Sequence, residues 1–202
     1  MKRKGQQRAR GTLAPVVDVQ PLTADRWPDL LTLFGPGGAC FGCWCQYWRR
    51  SRADWRKAKA ADNKSALESQ ARGEQPPGLI GYDAQGAPVG WVALGPRDDF
   101  PGLRNSRFFG DTPDGPGLWS VVCFYVPAAH RGRGVAEALL AGAVRRARGA
   151  GARVLEAYPW DLGVKSGATS SLYVGTLPMF VAAGFREVSR RVPHRPVVRR
   201  RV

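Results

Sequence analysis

The spacing of apolar residues along the chain predicts most of its secondary structure. The clearest signal is the run from Leu118 to Val126, which is apolar on both faces and therefore predicts a buried central strand. Directly after it, apolar residues at helical spacing predict a helix over 134–148 that ends at a glycine. Further strands are predicted at 16–19, 78–82, 88–94, 153–158, 185–191 and 195–202, and further helices at 24–34, 52–72 (two short ones) and 176–184.

The order of these elements predicts a mixed α/β sheet with helices on its faces. Two antiparallel hairpins are expected, with turns at Asp83–Ala87 and Val192–His194. Residues 96–118 are rich in Gly and Pro and are expected to form one long loop. We expect residues 1–13 to be a flexible basic arm and residues 14–202 to form a single domain.

Composition places the chain among globular proteins. Apolar residues make up 44% of its 202 residues and charged residues 23%. No apolar run approaches the roughly 20 residues that span a bilayer, and no apolar stretch follows the basic N-terminus. A cytoplasmic protein without a membrane segment is therefore expected.

The net charge of +15 is concentrated at the two ends, because residues 1–10 hold five basic residues and residues 190–201 hold six arginines. One interpretation is a nearly neutral domain with two solvated basic ends. The other is attraction to a polyanion such as nucleic acid or a phosphorylated cofactor. Neither end carries interleaved aromatic residues, so we expect any contact with nucleic acid to be non-specific.

A turn with two glycines, Gly132 and Gly134, joins the central strand to the following helix. Such a turn directs unpaired main-chain N–H groups and the positive end of the helix dipole at one point, where phosphate binds. The glycines allow close approach of the backbone, and Arg131 and Arg133 can add charge-assisted contacts. The sequence therefore predicts a phosphate site over residues 131–136.

Two common phosphate-binding motifs do not fit this turn. A Walker A loop requires Gly-Lys-Ser/Thr, and a dinucleotide turn requires Gly or Ala where the chain has Glu137. The turn instead resembles the signature Arg/Gln-x-x-Gly-x-Gly/Ala of the GNAT superfamily of acyl-CoA-dependent N-acyltransferases, with Arg131, Gly134 and Ala136 at the defined positions. The resemblance spans residues 14–200 and is most specific over 119–150.

The resemblance implies a mostly antiparallel sheet that splays between its fourth and fifth strands, with helices on both faces. It also implies acetyl-CoA as co-substrate, with no metal. Pantetheine amides would pair with the edge of the fourth strand at Phe124 and Val126, and a main-chain N–H near Val126 would polarise the thioester carbonyl. The residues that would hold the diphosphate are Arg131, Gly132, Arg133, Gly134, Val135 and Ala136.

The acceptor amine must lose a proton, because an alkylamine with a pKa of ~10 is mostly protonated at pH 7. Glu156, on the strand that faces the splayed opening, is the first candidate base, and Asp161 is the second. The alternative for Glu156 is a salt bridge to an arginine, and the alternative for Asp161 is a place on a surface loop. An ordered water is the remaining candidate.

Many family members protonate the departing thiolate with a Tyr in the last helix, four residues before the Gly of Gly-Phe. Phe180 occupies that position here, so this role does not carry over. Tyr173, slightly upstream, is the candidate replacement, with core packing or substrate contact as the alternative roles. The thiolate can also leave unaided, since its pKa is only ~8.5.

Three cysteines occur close together at Cys40, Cys43 and Cys45, among aromatic residues. We interpret them mainly as reduced thiols in a packed cluster. A zinc site, for which a second Cys-x-x-Cys is missing, and a reactive thiol are the alternatives. The family resemblance implies that this segment forms a wall of the acceptor pocket, with contacts from Cys43, Trp44 and Tyr47.

The leading hypothesis is acetyl transfer to a primary amine of a small molecule that has an apolar body, or whose ammonium packs on the aromatic wall. The alternatives are transfer to an amine of a protein or an aminoacyl-tRNA, and a CoA-binding module without catalysis. A homodimer is compatible with each of them.

Overall fold

The computed structural model describes residues 17–104, 106–109 and 115–202. The predicted arm at 1–13 lies outside these residues, so the arm and the domain boundary at residue 14 stay predictions. The described strands are β1 (Asp18–Pro21), β2 (Gly78–Tyr82), β3 (Pro88–Pro96), β4 (Leu118–Tyr125), β5 (Val154–Ala157), β6 (Arg186–Val192) and β7 (Arg195–Arg201). The helices are α1 (Trp27–Phe34), α2 (Arg52–Lys57), α3 (Ala60–Ala71), α4 (Pro101–Arg104), α5 (Val135–Gly149) and α6 (Leu177–Ala182).

The strands form one sheet in the order β1-β2-β3-β4-β5-β7-β6. Neighbouring strands are antiparallel except β4 and β5, which are parallel. The predicted α/β class and the predicted central place of residues 118–126 are confirmed. Both predicted hairpins are also present, between β2 and β3 and between β6 and β7.

A separate apolar core covers each face of the sheet, which explains why β4 is apolar on both faces. On one face, α1 and α3 pack with Trp91 and Val122. On the other face, α5 packs with Val121 and Phe124. Gly90 allows α5 to lie close to β3, because a Cβ at this position would stand only 2.7 Å from Cγ1 of Val135.

Residues 96–118 contain more regular structure than the predicted loop. A 3-10 turn at Arg97–Asp99 leads into α4, and Phe100 and Leu103 are fully buried against the aromatic core. The loop prediction for this part of the segment was therefore wrong. The Gly and Pro residues hide any helical spacing of apolar residues in this segment. The turns form because Phe100 and Leu103 pack into the core.

The sheet opens between β4 and β5. Their pairing ends at Val121 and Ala157, whereas β4 continues beside β3 as far as Tyr125. The chain after β5 turns away, so that Trp160 pairs with Thr176 instead of with β4. The predicted splay between the fourth and fifth strands is thus confirmed, and it leaves an opening beside the last residues of β4.

Candidate functional site

An open cleft of about 600 Å³ lies where β4 ends and α5 begins. Seven of the eight residues predicted to bind the co-substrate line it, and Arg133 does not. The predicted catalytic residue Tyr173 also lines it. The full lining is Ala39, Cys40, Phe124, Tyr125, Val126, His130, Arg131, Gly132, Gly134, Val135, Ala136, Glu137, Leu172, Tyr173, Gly175, Thr176 and Met179.

The turn before α5 has the backbone geometry of an anion site. Gly132 and Gly134 have φ angles of +68° and +79°, in the left-handed region that favours glycine. No side chain caps the N-terminus of α5. Within the described part of the chain, the main-chain N–H groups of residues 132–137 have no hydrogen-bond acceptor. All of these residues except Arg133 line the cleft, at the positive end of the helix dipole.

Two charged side chains of opposite sign stand beside this turn. Arg131 donates a hydrogen bond of 2.9 Å from Nε to the carbonyl oxygen of Val126, which holds its guanidinium across the end of β4. Glu137, in the first turn of α5, is exposed and also lines the cleft. Acidic residues are common in the first turn of a helix, so nothing in the sequence indicated that Glu137 would lie in the cleft.

Tyr173 belongs to a 3-10 turn, Thr169–Val174, that packs against β4 beside the opening in the sheet. Burial raises the pKa of its hydroxyl above the usual value, while the charge of Arg195 and the indole N–H of Trp48 act in the opposite direction. The hydroxyl is therefore protonated at neutral pH, and it can donate a hydrogen bond into the cleft.

Phe180 is a core residue. It is fully buried, with ring contacts of 6.0 Å to Phe124 and 5.1 Å to Phe185, and it does not line the cleft. The position at which many family members carry a tyrosine therefore contributes only packing here.

Glu156 lies in a buried polar network instead of in the cleft. Its side chain is 0% exposed. Oε2 accepts a hydrogen bond of 2.7 Å from Arg199, and Oε1 accepts from Arg97 and from the hydroxyl of Tyr158. This placement disfavours Glu156 as a general base, because the carboxylate is occupied and has no access to solvent.

Asp161 is held in a similar way on the loop after β5. Oδ2 accepts a hydrogen bond of 2.7 Å from Arg190, and Oδ1 accepts one from the main-chain N–H of Gly163. Asp161 does not line the cleft. Its contacts are those of a residue that closes a surface loop.

The cysteine segment is tightly folded. Four non-glycine residues in it have left-handed φ angles: Ala39, Phe41, Trp44 and Cys45. Gly38 is required because the ring of Trp44 lies against its backbone, where a Cβ would stand 2.3 Å from Nε1. Trp44 is 3% exposed, so this predicted pocket residue belongs to the core.

The cysteines themselves pack closely. Sγ of Cys45 lies 3.7 Å from Sγ of Cys123 and accepts a hydrogen bond from the indole N–H of Trp91. Cys43 is next to Cys45, which raises its pKa, and burial raises it further. Cys43 lines neither the cleft nor the cavity described below. Among the residues with described coordinates, no group of three or more His, Cys, Asp or Glu is placed to hold a metal ion.

A second cavity of about 410 Å³ is lined by residues of α2, of α4 and of the segment before α2. Tyr47, the third predicted pocket residue, lines it, and its ring packs edge-on against Trp48 and Trp55. The remaining lining residues are Arg50, Arg52, Arg56, Gly102, Ser106 and Phe108. Its walls are therefore aromatic and its charged residues are arginines.

The arginines near the C-terminus do not form a solvated tail. Arg190 pairs with Asp161 and Glu187, Arg199 pairs with Glu156, and Arg200 donates to the carbonyl of Ala183. The interpretation of a solvated basic end therefore does not hold for these three arginines, because strand pairing places their side chains beside acceptors, whereas Arg191 and Arg201 are exposed. Across the ranges with coordinates, no helix combines the length and the apolar character needed to cross a bilayer.

Solved structures share this fold at low sequence identity. A GCN5-related N-acetyltransferase from Kribbella flavida is 18% identical, with a TM-score of 0.54 over 92% of this chain and 98% of that one. The PaiA N-acetyltransferase from Thermoplasma acidophilum, solved with coenzyme A, is 10% identical, with a TM-score of 0.53 over 92% and 99%. The putative acetyltransferase yncA from Salmonella typhimurium, solved with acetyl-CoA, is 14% identical, with a TM-score of 0.53 over 92% and 93%.

None of the curated proteins compared with the chain matches its sequence. The family model described as the acetyltransferase (GNAT) family matches residues 42–163, which is more than half of the chain. This match includes the splayed strands and the glycine turn, and the chain therefore belongs to the GNAT family of acetyltransferases.

Proposed function

We propose that this protein transfers an acetyl group from acetyl-CoA to a primary amine of a small molecule, by direct attack in a ternary complex. One observation carries the proposal. Residues 132 and 134–137, whose main-chain N–H groups are unpaired, line the same cleft as the splayed edge of β4 and Tyr173. A diphosphate site, a peptide-like edge and a hydrogen-bond donor thus share one cavity.

Acetyl-CoA would bind along this cleft from the glycine turn inwards. Its diphosphate would accept hydrogen bonds from the N–H groups at the start of α5 and from Arg131. Its pantetheine amides would pair with the edge of β4 near Phe124 and Val126, since the pairing of β4 with β5 ends at Val121. The thioester would then lie near Tyr173.

The reaction requires little from side chains beyond positioning. The neutral amine nitrogen attacks the thioester carbonyl carbon and forms the C–N bond. The C–S bond then breaks and its electron pair leaves on sulfur. Tyr173 donates a hydrogen bond to that sulfur without losing its proton, because burial raises the pKa of its phenol above the usual value. The thiolate takes a proton from solvent.

The proton released by the amine passes to water in this proposal. Among the described residues that line the cleft, Glu137 is the one carboxylate, and it lies in the first turn of α5 at the diphosphate end. Glu156 and Asp161 are already bonded to arginines. An open cleft gives water direct access to the reacting nitrogen.

The size of the second cavity supports a small acceptor. About 410 Å³ is within the range of small-molecule sites. Its aromatic walls suit an amine with an apolar body. Tyr47, which lines the cavity, lies near enough to Tyr173, which lines the cleft, to raise its pKa further than burial alone does, and in this proposal the acceptor amine reaches the thioester past these two residues.

Thermal shift with acetyl-CoA, CoA, NAD and ATP tests the co-substrate. A ligand at 100 times its Kd adds about 2.7 kcal/mol to the free energy of unfolding, and we expect this from the CoA species alone. Thiol release from acetyl-CoA across a panel of primary amines tests the reaction. Tyr173→Phe should lower kcat about 10-fold and leave the acetyl-CoA shift unchanged. Stabilisation by NAD or ATP, or thiol release that no amine accelerates, would refute the proposal.

A further inference from the structure

Arg195, the first residue of β7, is a buried cation that lines neither cavity itself and packs behind Phe108, which lines the second one. Its side chain is 6% exposed, and its guanidinium carbon lies 5.1 to 5.5 Å from the ring centres of Phe108, Phe109 and Trp160. Burial lowers the pKa of Arg195, whereas Tyr173, which lines the cleft, and Tyr47, which lines the second cavity, both lie close enough to raise it.

This guanidinium has no counter-ion in the described part of the chain. The equally buried Arg97 pairs with Glu156, and Arg49 pairs with Asp99. Arg195 donates a hydrogen bond of 3.4 Å to the carbonyl of Tyr158 and also interacts with the hydroxyl of Tyr173, both neutral groups, and its Nε has no partner. Burial of a charge destabilises a fold unless the charge is paired. A ligand anion would supply the missing partner.

A second unpaired donor lies close by. Trp48 is 6% exposed, and its Nε1 has no hydrogen-bond acceptor among the described residues. It lies near the hydroxyl of Tyr173, although not in hydrogen-bonding geometry. Arg195 and Trp48 thus place a cation and an N–H beside Tyr173, whose neutral hydroxyl oxygen can accept a hydrogen bond but supplies no negative charge. We call these three residues the donor cluster.

The second cavity has a matching electrostatic character. Among the residues that the structure describes, its lining contains Arg50, Arg52 and Arg56 and no Asp or Glu. Phe108 belongs to the same wall and also packs under the guanidinium of Arg195. An anion that enters this cavity would therefore meet positive charge along its path to the donor cluster.

We propose that Arg195 binds a carboxylate of the acceptor, so that the substrate is an amino acid or a closely related molecule with both an amine and a carboxylate. The inference rests on the proposed acetyl transfer and names the class of amine. A carboxylate matches the donor cluster because one guanidinium balances one negative charge and presents parallel N–H groups to two oxygens.

The test compares pairs of amines that differ in the carboxylate. Wild-type protein is assayed by thiol release with phenylalanine and 2-phenylethylamine, lysine and 1,5-diaminopentane, and 4-aminobutyrate and propylamine. We expect kcat/KM to be at least 10-fold higher for the acid in at least one pair. Arg195→Met should lower that value about 100-fold and change the value for the acid-free amine less than 3-fold.

The matched control is Arg191→Met, which removes an exposed positive charge from the neighbouring strand β6 and should leave the acid preference unchanged. Trp48→Phe should reduce the preference about 3-fold to 10-fold. Equal rates within every pair, or a preference that survives Arg195→Met, would overturn the inference and leave the acetyltransferase proposal standing.

A binding measurement covers the case in which Arg195→Met does not fold. Wild-type protein is titrated with 3-phenylpropionate and with 3-phenylpropionamide, in the presence of CoA, and unfolding is followed by thermal shift. At least 10-fold tighter binding of the acid supports the inference whether or not turnover is seen. Equal binding of acid and amide contradicts it.

Discussion

Nε of Arg199 lies 2.7 Å from Oε2 of Glu156, a carboxylate that is fully buried and does not line the cleft. Because Arg97 and Tyr158 occupy the other oxygen, the carboxylate joins β5 to its neighbours in the sheet. Glu156, the first candidate base in the sequence, therefore stabilises the sheet.

Glu156→Gln should therefore act on stability. Removing one partner of a buried ion pair costs about 3–5 kcal/mol, and we expect a loss of this order in chemical denaturation. For the folded fraction, kcat/KM and its pH dependence should change less than 3-fold. Glu187→Gln is the control, because that half-exposed carboxylate pairs with Arg190 at the surface and should cost less than about 1 kcal/mol. A 100-fold loss of activity at unchanged stability would instead identify Glu156 as the base.

Arg131 and Arg133 should differ in their effect on acetyl-CoA binding, although the sequence presents them as equivalent. Arg131 lines the cleft and is held by the carbonyl of Val126, whereas Arg133 does not line it. We expect Arg131→Gln to raise the Kd for acetyl-CoA about 5-fold to 10-fold, and Arg133→Gln less than 2-fold. Calorimetric titration of both variants measures the difference. Equal effects would mean that the diphosphate lies further out along the turn.

Glu137→Gln should tighten the binding of acetyl-CoA. The exposed carboxylate lines the cleft beside the proposed diphosphate site, and like charges at a surface repel each other modestly. We expect the Kd to fall about 2-fold to 5-fold at low salt, and the gain to shrink at 0.5 M salt as the charges are screened. The melting temperature should fall slightly, because an acidic residue in a first helical turn stabilises the helix. A Kd that rises on this substitution would contradict the placement.

The pH dependence of kcat/KM should follow the pKa of the amine acceptor. Burial raises the pKa of Tyr173 above its usual value, so the donor form of this phenol persists below its raised pKa, and activity is lost only above it. We therefore expect kcat/KM to increase up to the pKa of the amine, near ~10 for an alkylamine, without an alkaline decrease below that point. Profiles for two amines of different pKa should shift with the amine. A profile that is the same for both would indicate a titrating base on the protein.

The sequence predicted the parts of this molecule that depend on local pattern. The apolar run of β4, the helical spacing of α5 and the glycines between them identify the strand, the helix and the turn that joins them, because each is set by neighbouring residues. The partners of Glu156 were not predictable in this way. Arg97 and Arg199 reach it from segments 59 and 43 residues away along the chain, and only the sheet order brings them together.

The residues near the acceptor were also not predictable from local sequence pattern. Trp44 and Tyr47 stand three residues apart, and both were predicted to face the acceptor. The left-handed backbone of the cysteine segment directs Trp44 into the core and leaves Tyr47 at the cavity. Nothing in the local sequence distinguishes Arg195 from the other arginines near the C-terminus. The different partners of these arginines become visible only in the folded structure.

Cys40 and Cys45 should differ sharply in their reactivity toward a thiol reagent. Cys40 is exposed and lines the cleft, whereas Cys45 is buried against Cys123 and its pKa is raised well above the usual value, which removes the reactive thiolate. Under native conditions we expect iodoacetamide to modify Cys40 first and Cys45 only on unfolding, as read by peptide mass spectrometry. Saturating acetyl-CoA should slow the modification of Cys40 at least 5-fold, because the co-substrate would fill the space beside it. Cys40→Ser provides the control, since it should abolish the fast, protectable phase. Protection of Cys45 in place of Cys40 would mean that the co-substrate acts through closure of the fold and does not occupy the cleft.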